Sequence, residues 1–397
     1  MISNPRRTIL FCWEYGAGLG HISQLKTLAR NFDKDRFRLI LVNPNGVVSS
    51  DNDPFDEVCE FSDTSILREV ETSPAAGIVS YNATVKSFGL GNPKLMFTRL
   101  KLWEKLFGEQ TPDLIIGDYA PIALVVARHM KIPTVAIGNG YTLPPTNICS
   151  YPKFTNQKDP VSGESLLATF NQALRLARMS ELSHLPQIFE ADIQACFTDP
   201  KLDPFGKVRN APAIGPLLKS EMPKFNKLRG RKIFVYLTHC KAETRKLVLE
   251  ALKMTEIPAD VYSLQKSRED EAFLKNSQIE LLTAPIALED ICQEYQLVVH
   301  LGGHGFTVEL LCAGMRQILL PKDIEKILLG QAMFNHGFAD FYRVDFQRPV
   351  KELADKILEA MKGDATNAKL SQYSASIDRT KWRDNQLQLM QQINTLI

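Results

Sequence analysis

Little in this chain marks it for export, for a membrane or for nucleic acid. Its seven cysteines are odd in number and form no CxxC pair. Neither a disulfide framework nor a zinc site of familiar spacing is therefore expected, and the usage fits a reducing compartment. An excess of one charge is also missing. Forty-seven basic residues against 45 acidic ones leave a formal net charge of +2, which argues against a protein that coats nucleic acid. Long hydrophobic runs are absent as well. The apolar stretch Ile9–Trp13 stops at Glu14, too short for the core of a secretory signal. The longest uncharged stretch, Ile132–Pro152, is broken by Pro133, Gly138, Gly140, Pro144, Pro145 and Pro152, so it reads as a strand followed by a loop. The expectation is a cytoplasmic protein with no metal site.

What is present is the composition of a soluble globular protein. Its 397 residues suggest two or three domains, with 44% hydrophobic and 23% charged residues. Short apolar runs alternate with longer amphipathic stretches, the pattern of a parallel α/β sheet. In the first half, strands are expected at Ile9–Trp13, Leu39–Val42, Leu114–Gly117 and Thr134–Ile137. Helices are expected at His21–Asn31, Lys94–Phe107 and Pro121–Met130, and a long amphipathic segment over Ser165–Gln194, broken near Pro186. The second half begins again, with strands at Ile233–Leu237, Val261–Leu264, Ile279–Leu282, Leu297–Leu301 and Gln317–Leu320. Helices are expected there at Glu243–Met254 and Thr307–Ala313. This gives a first domain over 1–215, a linker over 216–230, a second domain over 231–375 and a terminal helix over 376–397. Six basic residues against one acidic one crowd Lys219–Lys232. That run is either a solvated linker or a patch for phosphate or anionic lipid.

Gly16-Ala17-Gly18-Leu19-Gly20-His21 follows the first strand and opens a helix. A P-loop needs Lys and Ser or Thr after its last glycine, where this chain has His21 and Ile22. A dinucleotide fingerprint needs a small residue at the position of His21 and an acidic residue closing the second strand. Val42-Asn43-Pro44-Asn45 supplies none. What remains is a glycine turn delivering a histidine to the C-terminal edge of a parallel sheet, where open α/β sheets bind ligands. Imidazole titrates near neutrality and suits general base work. Asp118, ending the strand Leu114–Gly117, lies on the same edge. It is either the carboxylate that orients His21 or the N-cap of the helix at Pro121–Met130, and the two roles are compatible.

The second glycine cluster is the most specific stretch. Leu297-Val298-Val299-His300-Leu301-Gly302-Gly303-His304-Gly305-Phe306-Thr307-Val308-Glu309 reads as strand, glycine turn and helix. Backbone N–H groups in such a turn suit a diphosphate, and a carboxylate one turn along suits ribose hydroxyls. Ala313-Gly314-Met315-Arg316 leads to the next strand and Pro321, and Glu325 and Gly337 follow.

These residues resemble the signature of the GT-B nucleotide-sugar glycosyltransferases, in particular the UDP-glycosyltransferases and the lipid-linked muramyl N-acetylglucosaminyl transferase. Gly302, Gly303, Gly305, Thr307, Glu309, Gly314, Pro321, Glu325 and Gly337 fall at matching spacings. The resemblance implies two Rossmann-like parallel-sheet domains facing across a cleft. It implies an inverting, metal-independent transfer from a UDP-sugar to an acceptor hydroxyl, with no cofactor. Gly18 and Gly20 then belong to the acceptor loop, with His21 as base and Asp118 as its partner. Ile286 lies in the segment that reads the nucleobase. Gly302, Gly303, His304, Gly305, Phe306, Thr307, Glu309, Glu325 and Lys326 line the donor site. The partners implied are a nucleotide sugar and an acceptor that is a glycan, lipid or small molecule. Nucleic acid is not among them, and peripheral contact at the inner face of the membrane is one option. Departures are specific. Leu301 stands where the family has its phosphate-binding His, with His300 and His304 flanking it and His304 the better substitute. Lys326 stands in place of the sugar-contacting Gln, and Gly314-Met315-Arg316 replaces Gly-x-Pro. A UDP-sugar 2-epimerase and a non-catalytic nucleotide-sugar-binding protein are the alternative readings.

Overall fold

The computed structural model describes residues 5–16, 19–44, 53–61, 79–210, 213–217, 232–238, 240–265, 267–344, 348–362 and 365–397. Gly18 and nearly all of the expected linker and basic run lie outside these residues. The chain divides into two compact units, one of residues 1–217 with 380–397 and the other of residues 218–379.

The first unit is a six-stranded parallel sheet built from β1 (Arg7–Trp13), β2 (Phe37–Asn43), β3 (Glu57–Glu60), β4 (Leu114–Asp118), β5 (Thr134–Gly138) and β6 (Ile193–Cys196). Their spatial order is β3-β2-β1-β4-β5-β6. All five residues of β4 and all of β1 after Arg7 are buried. Strands covered on both faces read as unbroken apolar runs rather than as alternation, which is why Ile9–Trp13 and Leu114–Gly117 stand out in the sequence. The chain reverses direction along the sheet between β1 and β4, which run side by side with Trp13 opposite Asp118. That is the topological switch point, where open α/β sheets hold ligands.

Two parts of this unit differ from the sequence reading. The amphipathic stretch over Ser165–Gln194 is not one broken helix. A helix spans Gly163–Ala177 and ends where Arg178 turns left-handed (φ 61°). Past a single 3-10 turn at Leu185–Phe189 the chain enters β6. Helical spacing of apolar residues does not distinguish a helix followed by a short buried strand from one longer helix. The strand Glu57–Glu60 was also missed, because a four-residue edge strand carrying two glutamates lacks an apolar run. The terminal helix, Arg379–Leu396, presents Leu389 and Ile393 to the core of this unit. Burying two such side chains contributes roughly 1.5–3 kcal/mol each. Asn385 and Gln386 donate to the carbonyls of Ile214 and Pro216 (3.1 and 2.8 Å) and fix its register.

The second unit repeats the plan. Its strands are β7 (Ile233–Tyr236), β8 (Ala259–Tyr262), β9 (Ile279–Leu282), β10 (Leu297–His300), β11 (Arg316–Leu319) and β12 (Asp340–Phe341). They lie in the order β12-β11-β10-β7-β8-β9. Counted within the unit, this is the same order as in the first, so β7 and β10 flank its switch point, with His300 opposite Tyr236. Lys232, the described residue of the basic run, pairs with the buried Asp260 at 2.5 Å rather than lying free in solvent.

Candidate functional site

At the switch point of the first unit, β1 ends in Trp13 and the following turn leads into a helix over Leu19–Ala29. Gly16 takes a left-handed backbone (φ 91°) that a side chain would strain. His21, in the helix's first turn, lies back over this turn. Its Nδ1 is 3.0 Å from Asp118 Oδ2, with Asp118 almost wholly buried and the imidazole 14% exposed. The other ring nitrogen, Nε2, lies beside Gly16, 2.6 Å from where a Cβ on that residue would stand. With Nδ1–H given to a carboxylate, the neutral tautomer carries its lone pair on Nε2, the form a general base requires. Asp118 Oδ1 is buried with no hydrogen-bond partner among the described residues. Gly20 is exposed, and a Cβ there would meet nothing within 4 Å.

Asp118 does not cap the next helix. That helix, Pro121–His129, has Ala120 at its N-cap with no side-chain bond. Its open N–H groups at Ile122 and Ala123 are instead taken by the two carboxylate oxygens of Glu14 (2.8 and 3.0 Å). A helix N-terminus leaves several N–H groups to satisfy, and a carboxylate reaching from β1 satisfies two, leaving Asp118 to its imidazole. Burial pushes the Glu14 carboxyl up to about 8, although those N–H groups and Arg99 favour its charged form. Around the dyad the walls are aromatic. The His21 ring lies nearly parallel to Trp13 (centroids 5.2 Å apart, planes 22°) and to Tyr119 (5.9 Å, 11°).

In the second unit the helix over His304–Cys312 begins three residues earlier than its apolar spacing predicted, with Gly303 as N-cap. His304 is therefore the first helical residue rather than a member of the turn. His300 is buried, and its two nitrogens are engaged. Gly302 N–H donates to Nδ1 (3.2 Å), and Nε2 pairs with Gln317 Oε1 at 3.0 Å. Burial pushes this imidazole down to about 4. His300 is thus a neutral structural residue that ties β10 to β11. Gln317 also donates to the Thr307 carbonyl (3.1 Å), so one amide braces the strand end and the helix start together. The Thr307 hydroxyl is buried and donates to the Gly303 carbonyl at 2.8 Å, so its local use is to hold the turn. Leu301 packs into the core of this unit.

Gly302 is left-handed (φ 78°), with Lys326 Cβ 3.5 Å from a Cβ built there. A Cβ on Gly303 or Gly305 would meet nothing within 4 Å, so packing does not explain these two glycines. Lys326 lies in the first turn of the helix Ile324–Asn335, beside Glu325. Its ammonium pairs with the N-cap residue Asp323. Burial works against that charge, but Asp323 and Glu325 outweigh it and raise the Lys326 pKa. Glu309 sits half-buried in the helix after the turn. Phe306 packs edge-on against His300 and beside Tyr236, whose ring stacks on Tyr262 (5.7 Å, 19°). Ile286 joins the same partly buried apolar group. The expected donor residues therefore gather at one edge of the second sheet, apart from Thr307, which is turned inward. Among the described residues no group of three or more His, Cys, Asp and Glu could hold a metal ion. No helix there is long and apolar enough to cross a membrane.

Four residues that shape these sites escaped the sequence reading: Trp13, Glu14, Tyr119 and Gln317. Two carried a signal. Glu14 directly follows a buried strand, and Gln317 is a polar residue inside a fully buried one. Each must find a partner, since buried polar groups are almost always paired.

Neither a scan of protein-family models nor a search of curated proteins finds a match to this sequence. Solved structures do match. A glycotransferase of kitacinnamycin superposes with a TM-score of 0.69 at 15% identity, covering 99% of this chain and 100% of its own. The calicheamicin glycosyltransferase CalG4 gives 0.69 at 15%, with 98% of each chain covered. Phytolacca americana UGT2, solved with UDP-2fluoro-glucose and pterostilbene, gives 0.60 at 14%, covering 98% of this chain and 100% of its own. Two six-stranded parallel sheets of matching order, aligned over nearly the whole length of these enzymes, establish that the chain has the two-domain GT-B fold.

Proposed function

We propose that the protein is an inverting glycosyltransferase that moves a sugar from a nucleoside diphosphate donor, of the UDP-sugar type, to an acceptor hydroxyl. The observation that carries this reading is the contact of His21 Nδ1 with the buried Asp118 Oδ2 at the switch point of the first sheet. In this reading the acceptor belongs to the first unit and the donor to the second. The acceptor oxygen bonds to the anomeric carbon while its proton passes to His21 Nε2. The bond from that carbon to the diphosphate breaks, and its electron pair leaves on the diphosphate oxygen. A single displacement of this kind inverts the anomeric centre.

Asp118 holds Nδ1–H and stabilises the imidazolium as it forms. The leaving charge is met by N–H groups at Gly303 and the start of the helix His304–Cys312, reinforced by the helix dipole. Charge stabilisation by backbone donors makes a metal ion unnecessary in this scheme. Glu309 is assigned to the ribose, and Glu325 with Lys326 to the sugar. The paired ammonium of Lys326 favours hydroxyl recognition over capture of an acidic sugar. The reading places the protein in the cytoplasm. Support for a uridine donor comes from UGT2, solved with UDP-2fluoro-glucose.

The test is incubation with radiolabelled UDP-sugars and a panel of hydroxyl acceptors. Transfer of label with inversion supports the reading. Conversion of one donor sugar into another without acceptor would instead make the protein an epimerase, and tight binding without turnover a nucleotide-sugar-binding protein. His21→Ala is expected to lower kcat by about 10²–10⁴-fold, while UDP affinity by calorimetry stays within about twofold of the unmodified protein's, because the nucleotide is assigned to the other unit.

A further inference from the structure

We propose that Trp13 and Tyr119 are positioning residues for His21, their rings holding the imidazole in one orientation and stabilising its protonated form through their π faces. The proposal rests on the assignment of His21 as the base. Both rings lie nearly parallel to the imidazole. A cation over an aromatic face is attracted by the ring quadrupole, and more strongly where water is excluded. Trp13 and Tyr119 are both buried.

The two rings are also coupled to each other through a single residue. Trp13 Nε1–H donates to the Tyr15 carbonyl (2.5 Å), and Tyr15 N–H donates to the Tyr119 carbonyl (3.2 Å). Tyr15 is itself held by stacking on Phe88 (4.0 Å, 18°) and by its hydroxyl, which donates to the Phe88 carbonyl (3.1 Å). Tyr119 adopts a left-handed backbone (φ 52°) immediately after Asp118. A bulky residue there is rare and strained, and such strain gathers at functional sites. Asp118 and the two rings thus come from adjacent strand ends whose register sets Trp13 opposite Asp118.

Asp118 accepts from Nδ1, and the Tyr119 phenol is engaged with that of Tyr81. Glu14 turns its carboxylate onto the N–H groups of Ile122 and Ala123. Arg99 bonds the Tyr15 hydroxyl and the Phe88 carbonyl. From the helix that carries His21, Lys26 pairs with Asp53 at 2.7 Å. Asp118 and the two rings therefore act on the imidazolium directly.

The experiment uses the full-length protein with ¹⁵N-labelled histidine. His21 is assigned by the signal missing from His21→Ala, and its titration is followed in Tyr119→Phe, Tyr119→Leu and Trp13→Leu. At residue 119 leucine keeps a β-carbon on the same strained backbone and removes the π face together with the phenol, whose loss Tyr119→Phe controls for. Trp13→Leu also gives up the bond from Nε1 to the Tyr15 carbonyl. Tyr119→Phe is expected to titrate like the unmodified protein. Tyr119→Leu is expected to lower the His21 pKa by about half a pH unit, with the acid limb of kcat/KM moving by the same amount. Should Trp13→Leu fail to fold, the Tyr119 pair decides alone. An identical His21 pKa in Tyr119→Phe and Tyr119→Leu would overturn the proposal. Because the NMR titration needs no turnover, a shifted pKa in an inactive protein would defeat the transferase reading and leave the ring effect standing.

Discussion

The Nε2 atom of His21 lies 2.6 Å from the point where a β-carbon on Gly16 would be. The glycine and the imidazole therefore share one space, and the turn can close over the ring only while residue 16 lacks a side chain. The left-handed backbone at Gly16 adds a second constraint, costing an alanine roughly 1–2 kcal/mol. Gly16→Ala should push the imidazole off Asp118 and lower kcat by tenfold or more. The loss of stability should stay near the backbone cost, and UDP affinity measured by calorimetry should be unchanged. Full activity in a folded Gly16→Ala would show that the ring's present position is not the working one.

Asp118 contributes one oxygen to the imidazole and keeps the other buried without a partner among the described residues. An uncompensated buried charge of this kind is stabilised most when the imidazole becomes positive. Asp118→Asn removes that stabilisation, and an amide that presents its NH₂ to Nδ1 selects the wrong tautomer. Turnover should fall about 10²–10⁴-fold, with KM for the donor little altered. Steady-state kinetics with the donor varied at fixed acceptor would check this, and a rise in KM without a fall in kcat would count against the dyad.

Much of the fold was legible because the physics that builds it is local. Buried parallel strands such as Ile9–Trp13 and the Leu297–Val299 stretch must be apolar, and the glycine turns after them must tolerate positive φ. The repeated strand–turn–helix order then implies two like halves. His21 and Asp118 could be placed on one edge because each ends or follows a strand. The aromatic walls were not legible. Trp13 and Tyr119 meet His21 only through the register of β1 and β4 and an unusual backbone at residue 119. The inward turn of Thr307 was hidden for a similar reason, since its hydroxyl is consumed by a carbonyl four residues back.

Glu14 gives the first unit a pH dependence of unusual sign for a carboxylate. Its folded pKa, about 8, lies above the ordinary 4.5 because of burial. The native state therefore holds a proton that the unfolded chain has released. The contribution is fully present below pH 4.5 and is lost as pH rises through 8, amounting to a few kcal/mol. All three tryptophans, Trp13, Trp103 and Trp382, lie in the first unit, so tryptophan fluorescence reports its unfolding selectively. Urea midpoints should fall between pH 5 and 8, and Glu14→Gln should flatten that slope. An unchanged slope in Glu14→Gln would mean that another group carries the proton.

His300 sets the opposite dependence in the second unit. Its folded pKa, about 4, lies below the ordinary 6.5 because of burial. Between those values the unfolded chain binds a proton that the native state refuses. The stability it contributes is present above pH 6.5 and is lost as pH falls through 4. Protonation would put a hydrogen on Nδ1, which accepts from Gly302, and so would break the bond that shapes the glycine turn. Amide exchange of peptides covering Leu297–Leu319 should accelerate between pH 6.5 and 4, after correction for the intrinsic rate. Gln317→Leu tests the same network from its other end. It strips the partner from His300 Nε2 and from the Thr307 carbonyl, and leaving such groups unpaired costs about 1–3 kcal/mol. In that variant the segment should exchange faster even at pH 7, and UDP binding should weaken while the His21 titration stays put. Unaltered exchange across the turn would show that the His300–Gln317 pair does not hold it.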